Sequence, residues 1–475
     1  MFFPNVTASP GDLVFFYLPT IADKVVGDTI TINGIVYYVS ANFNLQFGDQ
    51  DPVIKIALLT IYAPPDIPNI SSYRWGDLWS GKIHIFFGNQ DVMFIHHYEI
   101  WRSFDQTNYH FLKQIPEGPF TDEPPPLENI WYKIRAVDTF YRKSGFTAPM
   151  YFQAQWQRYY DNPVLELTPA AWDSWGVTCP NLHYSRGDGN IHMYYGGMTG
   201  VIAGYQIGHA TLSIADWKNG LWTNWVKDPA NPIMSPAGAG FMMNGVFEPY
   251  VRWYNSQFIC LHTGYDNHNA GGMDAAGIGA FTSPSLYGPW TAVSNVVPRI
   301  DLGAGGEWDD FDLFAASLYY EGNTYHAWYS ASNGPLQNWR IGHATSVGDP
   351  IGVYTKDVSN PVLSYTGAGW ESDQVCFLRY IPWGTFLIGY YQGFDVLRRG
   401  QWGTLWSSDP DGAIYRTPNN PDMKFTAGNE ATLRIGGSLF KDPIYNRWTW
   451  WYGNADFPVT LAEISVMVLV PVSPL

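Results

Sequence analysis

Charged residues are scarce in this sequence, and basic residues are the scarcer kind. Asp, Glu, Lys and Arg make up 14% of the 475 residues, against ~25% in an ordinary soluble domain. Lys and Arg number 26 and Asp and Glu number 42, which gives a formal net charge of -16. Because a negative surface is repelled by phosphate backbones and by anionic membranes, we do not expect nucleic acid as a partner.

Cysteines and long apolar runs are also few. Cys179, Cys260 and Cys376 form no CxxC pair and are odd in number. Each lies in an apolar run typical of a buried strand, so we expect three reduced core residues. The first residues, MFFPNVTASPGD, contain no basic region followed by an apolar stretch, and no apolar run of about 18 residues occurs later. The sequence therefore predicts no signal peptide and no membrane insertion.

Aromatic residues, glycine and proline are abundant. Aromatics reach 17%, and 47 Gly and 34 Pro are spread along the chain, which is typical of many short strands joined by turns. In residues 1–63, polar and apolar residues alternate in LVFFYL, DTITINGIVYYV and VIKIALLTIY, and Asn33-Gly34 is a hairpin signal. We predict a small N-terminal β domain there, serving as an anchor. The segment APPDIPN at 63–69 is typical of a linker.

Residues 64–152 contain the segments YEIWRS, FTD, WYKIRAVD and SGFT in that order. The order resembles a fibronectin type III module, and the resemblance implies a sandwich of about seven strands that acts as a spacer or adhesive module. His96, His97 and Glu99 in FIHHYEI raise the alternative of a metal site. Because adjacent residues of a strand point to opposite faces, we expect them on the face of a sandwich instead.

The remaining residues, 153–475, contain an internal repeat. Five segments begin with an Asn-Pro or similar step, pass through a short polar bend and end in an aromatic strand, starting at residues 162, 231, 297, 360 and 420. Between them recur segments such as YQIGHATLSI and WRIGHATSVG. Each period supplies about four strands, the content of one propeller blade. The sequence therefore predicts an all-β chain that ends in a five-bladed β-propeller.

Carboxylates recur at one position of this repeat. The bends align on one residue in each segment: Trp172, Phe241, Trp308, Trp370 and Asn429. The residue that follows is acidic in four of the five: Asp173, Met242, Asp309, Glu371 and Glu430. Since the bend precedes the innermost strand of a blade, we predict these carboxylates at one level of the central channel. Further acids follow within the same strands: Glu248, Asp310, Asp312 and Asp373.

The blade opening NPVL, the bend W(D/E) and the strands HMYYGG, HAWYSAS and IGHATS resemble the five-bladed glycosidase-like superfamily of arabinanases, xylosidases and invertases, over about residues 160–458. The resemblance implies cleavage of a glycosidic bond by one protonated and one ionised carboxyl group. It assigns Asp173 as the base and Glu248 as the acid. Asp312 or Asp310 would tune the pKa of the acid, and Asp373 would complete the ring.

Two departures from the superfamily pattern leave a propeller that binds a glycan without cleaving it as an alternative. The first bend is WDSWGVTCP in place of a compact DP context, and Cys179 aligns with Glu248. For the tryptophans, packing in an aromatic core is the alternative to sugar binding. The residues predicted to bind substrate are Trp172, Trp308, Asp310, Trp370, Glu371, Glu430 and His268.

We predict no cofactor and no metal ligands, with calcium as the open alternative. The run EWDDFD at 307–312 supplies the hard oxygen ligands that calcium prefers, and the insertion YDNHNAGGMD holds His268 between two aspartates. A flexible rim loop over the channel mouth explains the insertion equally well. Within EWDDFD we expect Asp312 to face the channel, while Glu307 and Asp309 contact solvent or cap backbone amides.

Together these features predict a glycan-recognising protein, with an active glycoside hydrolase as the alternative. The order of anchor, spacer and propeller, the absence of a signal peptide and the low lysine content favour a phage virion or tail component. Such a protein is released by lysis and binds host or environmental polysaccharide at the virion surface. The N-terminal domain would then contact other virion proteins, and a homo-oligomer is expected.

Overall fold

The computed structural model describes residues 14–16, 29–32, 35–45, 54–61, 66–75, 82–88, 95–139, 141–200, 204–269, 274–334, 338–418, 420–423, 433–444, 447–455 and 462–471. Within them, regular structure consists of 31 strands, two single-turn 3-10 segments and one short α-helix, Ile214–Lys218 (α1). The prediction of an all-β chain is confirmed. No helix of these residues combines the length and the apolarity that crossing a bilayer requires.

Two compact units make up the chain. The first comprises residues 1–74, 84–121 and 131–150, and the second comprises residues 75–83, 122–130 and 151–475. The division into domains at 1–63, 64–152 and 153–475 stays a prediction.

An antiparallel sheet of order β1-β4-β3-β2 lies in the first unit. Its strands are Val14–Phe16 (β1), Thr29–Ile32 (β2), Ile35–Leu45 (β3) and Ile54–Ile61 (β4). β2 and β3 pair outward from Ile32 and Ile35, as expected for a hairpin, and the predicted turn residues Asn33 and Gly34 lie outside the described residues.

Two further sheets follow along the chain. One has the order β5-β6-β9 and consists of Asn69–Trp75 (β5), Ile83–Gly88 (β6) and Phe120–Asp122 (β9). In the other, the central strand β7 pairs antiparallel with its two neighbours, and the strands are Ile95–Ser103 (β7), His110–Ile115 (β8) and Asn129–Asp138 (β10). Glu99 on β7 is ion-paired with Arg135 at 2.6 Å and Lys143 at 2.9 Å, and the Nδ1 atoms of His96 and His97 lie 2.7 Å apart. The interpretation of FIHHYEI as a sandwich face stays a prediction.

Five antiparallel sets of strands dominate the second unit, and we number them in chain order. Set 1 is Gly176–Ser185 (β12), Asn190–Met198 (β13), Gln206–Ser213 (β14) and Val226–Lys227 (β15). Set 2 is Gly245–Tyr254 (β16), Gln257–Asp266 (β17), Asp274–Ser283 (β18) and Thr291–Ala292 (β19), and Ile300–Asp301 (β20) also pairs with β18.

The remaining sets have the same plan. Set 3 is Asp312–Glu321 (β21), Thr324–Ser332 (β22), Arg340–Val347 (β23) and Thr355–Lys356 (β24). Set 4 is Gln374–Trp383 (β25), Phe386–Phe394 (β26), Gly400–Ser407 (β27) and Ile414–Arg416 (β28). Set 5 is Leu433–Lys441 (β29), Trp448–Ala455 (β30) and Ala462–Pro471 (β31), and β31 also pairs with Met150–Arg158 (β11).

The first strands of the sets contact one another in a circuit. β12 contacts β16, β16 contacts β21, β21 contacts β25, β25 contacts β29, and β29 contacts β12. Set 5 is completed by β11, which precedes set 1 in the chain and pairs with β31. Pairing of distant chain segments within one sheet joins the two ends of the repeat array.

Each first strand carries a β-bulge at one equivalent residue. The register shifts there, and the residue has a positive φ, of 51° at Cys179, 57° at Glu248, 54° at Ala315, 56° at Phe377 and 53° at Gly436. Residues other than glycine rarely adopt a positive φ. A β-bulge also changes the direction in which its side chain points. The three cysteines are free and buried, as predicted.

Candidate functional site

The carboxylates of the bends are held in buried ion pairs. Asp173, Asp309 and Glu371, which we call the bend carboxylates, are each paired with a basic residue of the fourth strand of their set. The distances are 2.6 Å for Lys227–Asp173, 2.6 Å for Lys356–Asp309 and 2.8 Å for Arg416–Glu371. Because all three carboxylates are buried, the cation compensates a charge that would otherwise be costly in the interior.

The asparagines of the Asn-Pro steps extend the hydrogen-bond network of the bend carboxylates. In set 3, the Tyr329 hydroxyl donates to Asp309 at 3.1 Å, and the Asn360 amide donates to the Tyr329 hydroxyl at 3.1 Å. The side-chain oxygen of Asn360, Oδ1, accepts a hydrogen bond from the backbone N–H of His343 at 2.7 Å. The equivalent asparagine–tyrosine contacts of sets 1 and 4 are Asn231–Tyr195 and Asn420–Tyr391, both at 3.3 Å. The repeated network ties each bend to the strands behind it.

Set 2 lacks both charges of the ion pair. Met242 follows the aligned aromatic residue of its bend, and the strand register places Ala292 where set 3 has Lys356. In sets 1 to 4, the charges are therefore present together or absent together. Sequence reasoning found the acids and missed their partners, although a basic residue stands four positions before Asn231, Asn360 and Asn420.

The bend tryptophans are packed against their own sets. Trp172 and Trp308 stack on Tyr195 and Tyr329 with ring centroids 5.7 and 5.9 Å apart. A Cβ atom on Gly197 would lie 2.2 Å from the Trp172 ring, so glycine is required for this close approach. Trp370 also contacts its own set, with its ring tilted by 46° to that of Tyr391 and the centroids 5.4 Å apart. These contacts support the packing alternative, and sugar binding by these tryptophans stays a prediction.

Glu248 has a different environment. It stands at the bulge of β16, is 5% exposed, and its Oε2 accepts the Thr263 hydroxyl and, at 3.0 Å, the backbone N–H of Ala315. Burial raises the pKa of Glu248 to about 7, and Asp312 adds to the rise, while the two hydrogen bonds and Arg379 act against it. The carboxyl is therefore about half protonated near neutral pH.

Asp312 begins β21, beside Glu248. Its Oδ1 accepts the backbone N–H of Ala275 at 3.2 Å. Burial raises the pKa of Asp312 to about 6, with Asp274 adding repulsion, and the hydrogen bond from Ala275 and the nearby His268 act against the rise. Repulsion from Asp312 also contributes to the raised pKa of Glu248.

The insertion after β17 lies next to Asp312. His268 contacts the Phe311 carbonyl oxygen through Nε2 at 2.9 Å and Asp266 through Nδ1. Burial alone would lower the pKa of His268, but these hydrogen bonds outweigh it and raise the pKa. Asn269 donates its backbone N–H to Asp274 at 3.0 Å. We call Glu248, Asp312, Asp274 and His268 the Glu248 cluster.

The structure thus gathers only part of the predicted site. Glu248, Asp312 and His268 come together, whereas Asp173 and Glu371 are bend carboxylates. Three other predicted residues are placed as follows: Asp310 accepts the Gly306 N–H at 2.6 Å, Asp373 lies 3.7 Å from Arg398, and Glu430 lies outside the described residues.

A ring of acids at one level of the central channel stays a prediction. The bulge position carries a single carboxyl, Glu248, and the other bulge residues are Cys179, Ala315, Phe377 and Gly436. Asp309 is also not solvent-exposed as expected, since it is 1% exposed and paired with Lys356. Because Lys356 lies 47 residues from Asp309 in the chain, the residues around Asp309 do not indicate this ion pair.

Arg379 was missed as a neighbour of Glu248. It is buried on β25, its guanidinium lies 4.8 Å from the centroid of the Tyr250 ring, and burial lowers its pKa to about 10. Its only sequence signal is its position as the one charged residue in VCFLRYI. A cation at this position favours the ionised form of Glu248, which moderates the effect of burial.

A cleft of about 700 Å³ lies elsewhere in the second unit. It is lined by residues 161–169 together with Thr223, Trp225 and Lys227. Lys227, on its wall, already binds Asp173, Thr168 and the Glu166 carbonyl. We assign the candidate chemistry to the Glu248 cluster, because two carboxyls with separated pKa values serve acid–base chemistry and an ion-paired wall does not.

Comparisons with known proteins agree with this fold. No family model matches the chain. Arabinan endo-1,5-alpha-L-arabinosidase A of Aspergillus aculeatus is 31% identical over 119 residues, which are 23% of this chain and 36% of that protein. The chain thus spans about a third of the length of the curated relative that it matches.

Two solved structures each match 68% of this chain. A glycoside hydrolase has a TM-score of 0.53 at 12% identity and covers 68% of this chain and 93% of its own length. A BT0996 RGII complex has a TM-score of 0.52 at 14% identity, with the same coverage. At these identities the likeness shows a shared fold.

Proposed function

We propose that the second unit is a five-bladed β-propeller that acts on glycans. The circuit of first strands, the five sets of similar plan and the pairing of β11 with β31 support this architecture. For residues 64–152 we keep the proposal of a fibronectin type III sandwich, supported by the sheet β5-β6-β9 and by the sheet centred on β7. Expression of residues 64–152 alone tests it, since a sandwich domain of this type folds independently.

The reaction that the geometry supports best is hydrolysis of a glycosidic bond, and the raised pKa values of Glu248 and Asp312 carry the proposal. Burial raises both pKa values towards neutrality, so that the state with one carboxyl protonated and the other ionised is accessible there. Hydrolysis needs one carboxyl in each of these states.

The hydrogen bonds indicate which atoms act. Both donors to Glu248 bind Oε2, so Oε1 holds the proton that passes to the leaving glycosidic oxygen as the C–O bond breaks. Asp312 uses Oδ1 to accept the Ala275 N–H, so Oδ2 takes the proton of the water that attacks the anomeric carbon. His268 and Asp274 border the base.

Asp312 replaces Asp173 as the base in this proposal. A general base has to accept a proton from water, and Asp173 is fully buried and bound to Lys227 at 2.6 Å. Asp173 therefore stabilises the bend through its ion pair.

Release of reducing sugar from arabinan and a panel of other polysaccharides tests the proposal. Arabinan comes first because the curated relative is named for it. We expect Glu248→Gln and Asp312→Asn each to lower the rate about 10²–10⁴-fold while glycan binding persists, and the exposed Asp301→Asn to leave the rate unchanged. Unchanged rates in both site variants would refute the assignment.

Glycan binding without cleavage, by a virion component, is the second candidate. The bulge position favours it, because four of its five residues carry no acid. The N-terminal sheet β1–β4 would be the anchor that contacts other virion proteins, in a homo-oligomer. A wild-type protein that binds glycans on an array but releases no sugar would select this candidate, and labelling of native particles with antibody to the propeller would test the location.

A further inference from the structure

Two of the five sets carry a pair of stacked, buried histidines at equivalent positions. In set 1, His192 on β13 faces His209 on β14, with ring centroids 5.1 Å apart and Nδ1 of the first 2.9 Å from Nε2 of the second. In set 3, His326 and His343 repeat the arrangement, at 5.2 Å and 3.1 Å. The two pairs can therefore be compared as versions of one structure.

The pair in set 1 lies within a linear chain of hydrogen bonds. Asp188 contacts His192 at 3.0 Å and Asp228 contacts His209 at 3.1 Å, one carboxylate at each end. Tyr287, from the turn after β18 of the next set, donates its hydroxyl to Asp188 at 2.9 Å and packs edge-on against both imidazoles. The contact between the two rings is thus covered by an aromatic side chain.

The pair in set 3 is covered by a carboxylate instead. Asp411, from the turn after β27 of the next set, has its Oδ1 3.8 Å from His326 Nδ1 and 3.6 Å from His343 Nδ1. Among the residues that the structure describes, these three form a group whose ligand atoms all lie within 4.8 Å of one another. The acid thus converges on the histidine pair, where in set 1 the acids stand at its ends.

We propose that His326, His343 and Asp411 bind a divalent transition-metal ion of the Zn²⁺ class. Zn–N and Zn–O bonds of about 2.1 Å in a tetrahedron place neighbouring ligand atoms about 3.4 Å apart. His326 Nδ1 lies 3.1 Å from His343 Nε2 and 3.8 Å from Asp411 Oδ1, on either side of that value. Two imidazole nitrogens and one carboxylate oxygen suit zinc and its neighbours. Calcium is disfavoured, because it takes six to eight oxygens.

The surroundings fit such an ion. Asp357 Oδ2 lies 3.5 Å from His343 Nδ1, the place of a carboxylate that orients a metal-binding imidazole. The Asp411 side chain is 66% exposed, whereas both histidines are buried, so an ion reaches rigid ligands from solvent. Three protein ligands leave a fourth position for water.

Calorimetric titration of metal-free, untagged full-length protein with Zn²⁺ tests the site. We expect one ion per chain bound in the wild type, at least a 10-fold weaker affinity in Asp411→Asn, and loss of binding in His326→Gln. The matched control is His192→Gln, the equivalent histidine of set 1, which should keep wild-type affinity. Ca²⁺ should give no competing heat.

Spectroscopy with Co²⁺ gives a second test that does not depend on substituting the buried His326. Co²⁺ bound to the wild type should show the strong visible bands of a tetrahedral site, and Asp411→Asn should weaken or shift them without any change in fold. Absence of Zn²⁺ binding, equal affinity in the wild type and Asp411→Asn, or an equal loss in His192→Gln would each overturn the proposal. Activity on glycans enters none of these readouts.

Discussion

The bend carboxylates and the Glu248 cluster contain the same chemical group in two buried environments. Asp309 is 1% exposed and lies 2.6 Å from the ammonium of Lys356. Glu248, equally removed from water, accepts hydrogen bonds only from the neutral donors Thr263 and Ala315. Burial raises the pKa of Glu371 although its paired cation, Arg416, favours the ionised form, and burial raises the pKa of Glu248 to about 7. Burial alone therefore does not distinguish a structural acid from a reactive one.

The largest effect is expected from removing a cation of a bend pair. Lys356→Ala leaves Asp309 buried without compensation, so the free energy of unfolding should fall by about 3–5 kcal/mol, measured by urea denaturation. Set 2 supplies the control, since its equivalents are Met242 and Ala292. The double variant Asp309→Met with Lys356→Ala should recover much of the loss. Equal losses in the single and double variants would mean that the pair does not hold the bend.

Glu248 should make stability depend on pH in the opposite sense to an ion-paired acid. Its folded pKa of about 7 lies above the ordinary value of 4.5. Between these values the folded state keeps a proton that the unfolded state has lost, so stability decreases as pH rises, by about 3 kcal/mol over the window. Unfolding of the wild type and Glu248→Gln at several pH values measures this, and identical slopes would contradict it.

The smallest effect concerns the shape of the pH–rate profile. The rate of sugar release should peak between about pH 6 and 7 and fall roughly 10-fold per pH unit outside that range, because Asp312 becomes protonated below it and Glu248 ionised above it. Asp309→Asn should keep the shape, since the bend lies outside the reacting pair. A rate that is constant from about pH 5 to 8 would show that the Glu248 cluster does not carry out the reaction.

Much of the fold could be predicted because its signals are local. The Asn-Pro steps, the W(D/E) bends and the alternating aromatic strands recur with the four-strand plan seen in sets 1 to 4. Each set forms from neighbouring strands joined by short turns, so periodicity in the sequence maps directly onto sheets. The pairing of β11 with β31 has no such signal, since its two strands are separated by most of the chain.

The candidate site was predicted in part, and EWDDFD shows the limit. Asp309, Asp310 and Asp312 are interchangeable in composition and pattern, yet one binds Lys356, one caps the Gly306 N–H and one has a raised pKa beside Glu248. Their partners lie on other strands or in the bend itself. Alignment correctly grouped Asp173 with Asp309, which share a buried ion pair with a basic residue, and it gave no sign of those partners.

The sequence by itself determined the repeated strand pattern, the recurrence of acids and the paired histidines of sets 1 and 3, because hydrophobic periodicity and turn residues act over a few positions. Only the tertiary structure decided which acids meet a cation, which stay unpaired, and whether Tyr287 or Asp411 covers a histidine pair. These outcomes depend on desolvation and on charges brought close by the packing of distant strands, and both exist only once the sheets have assembled.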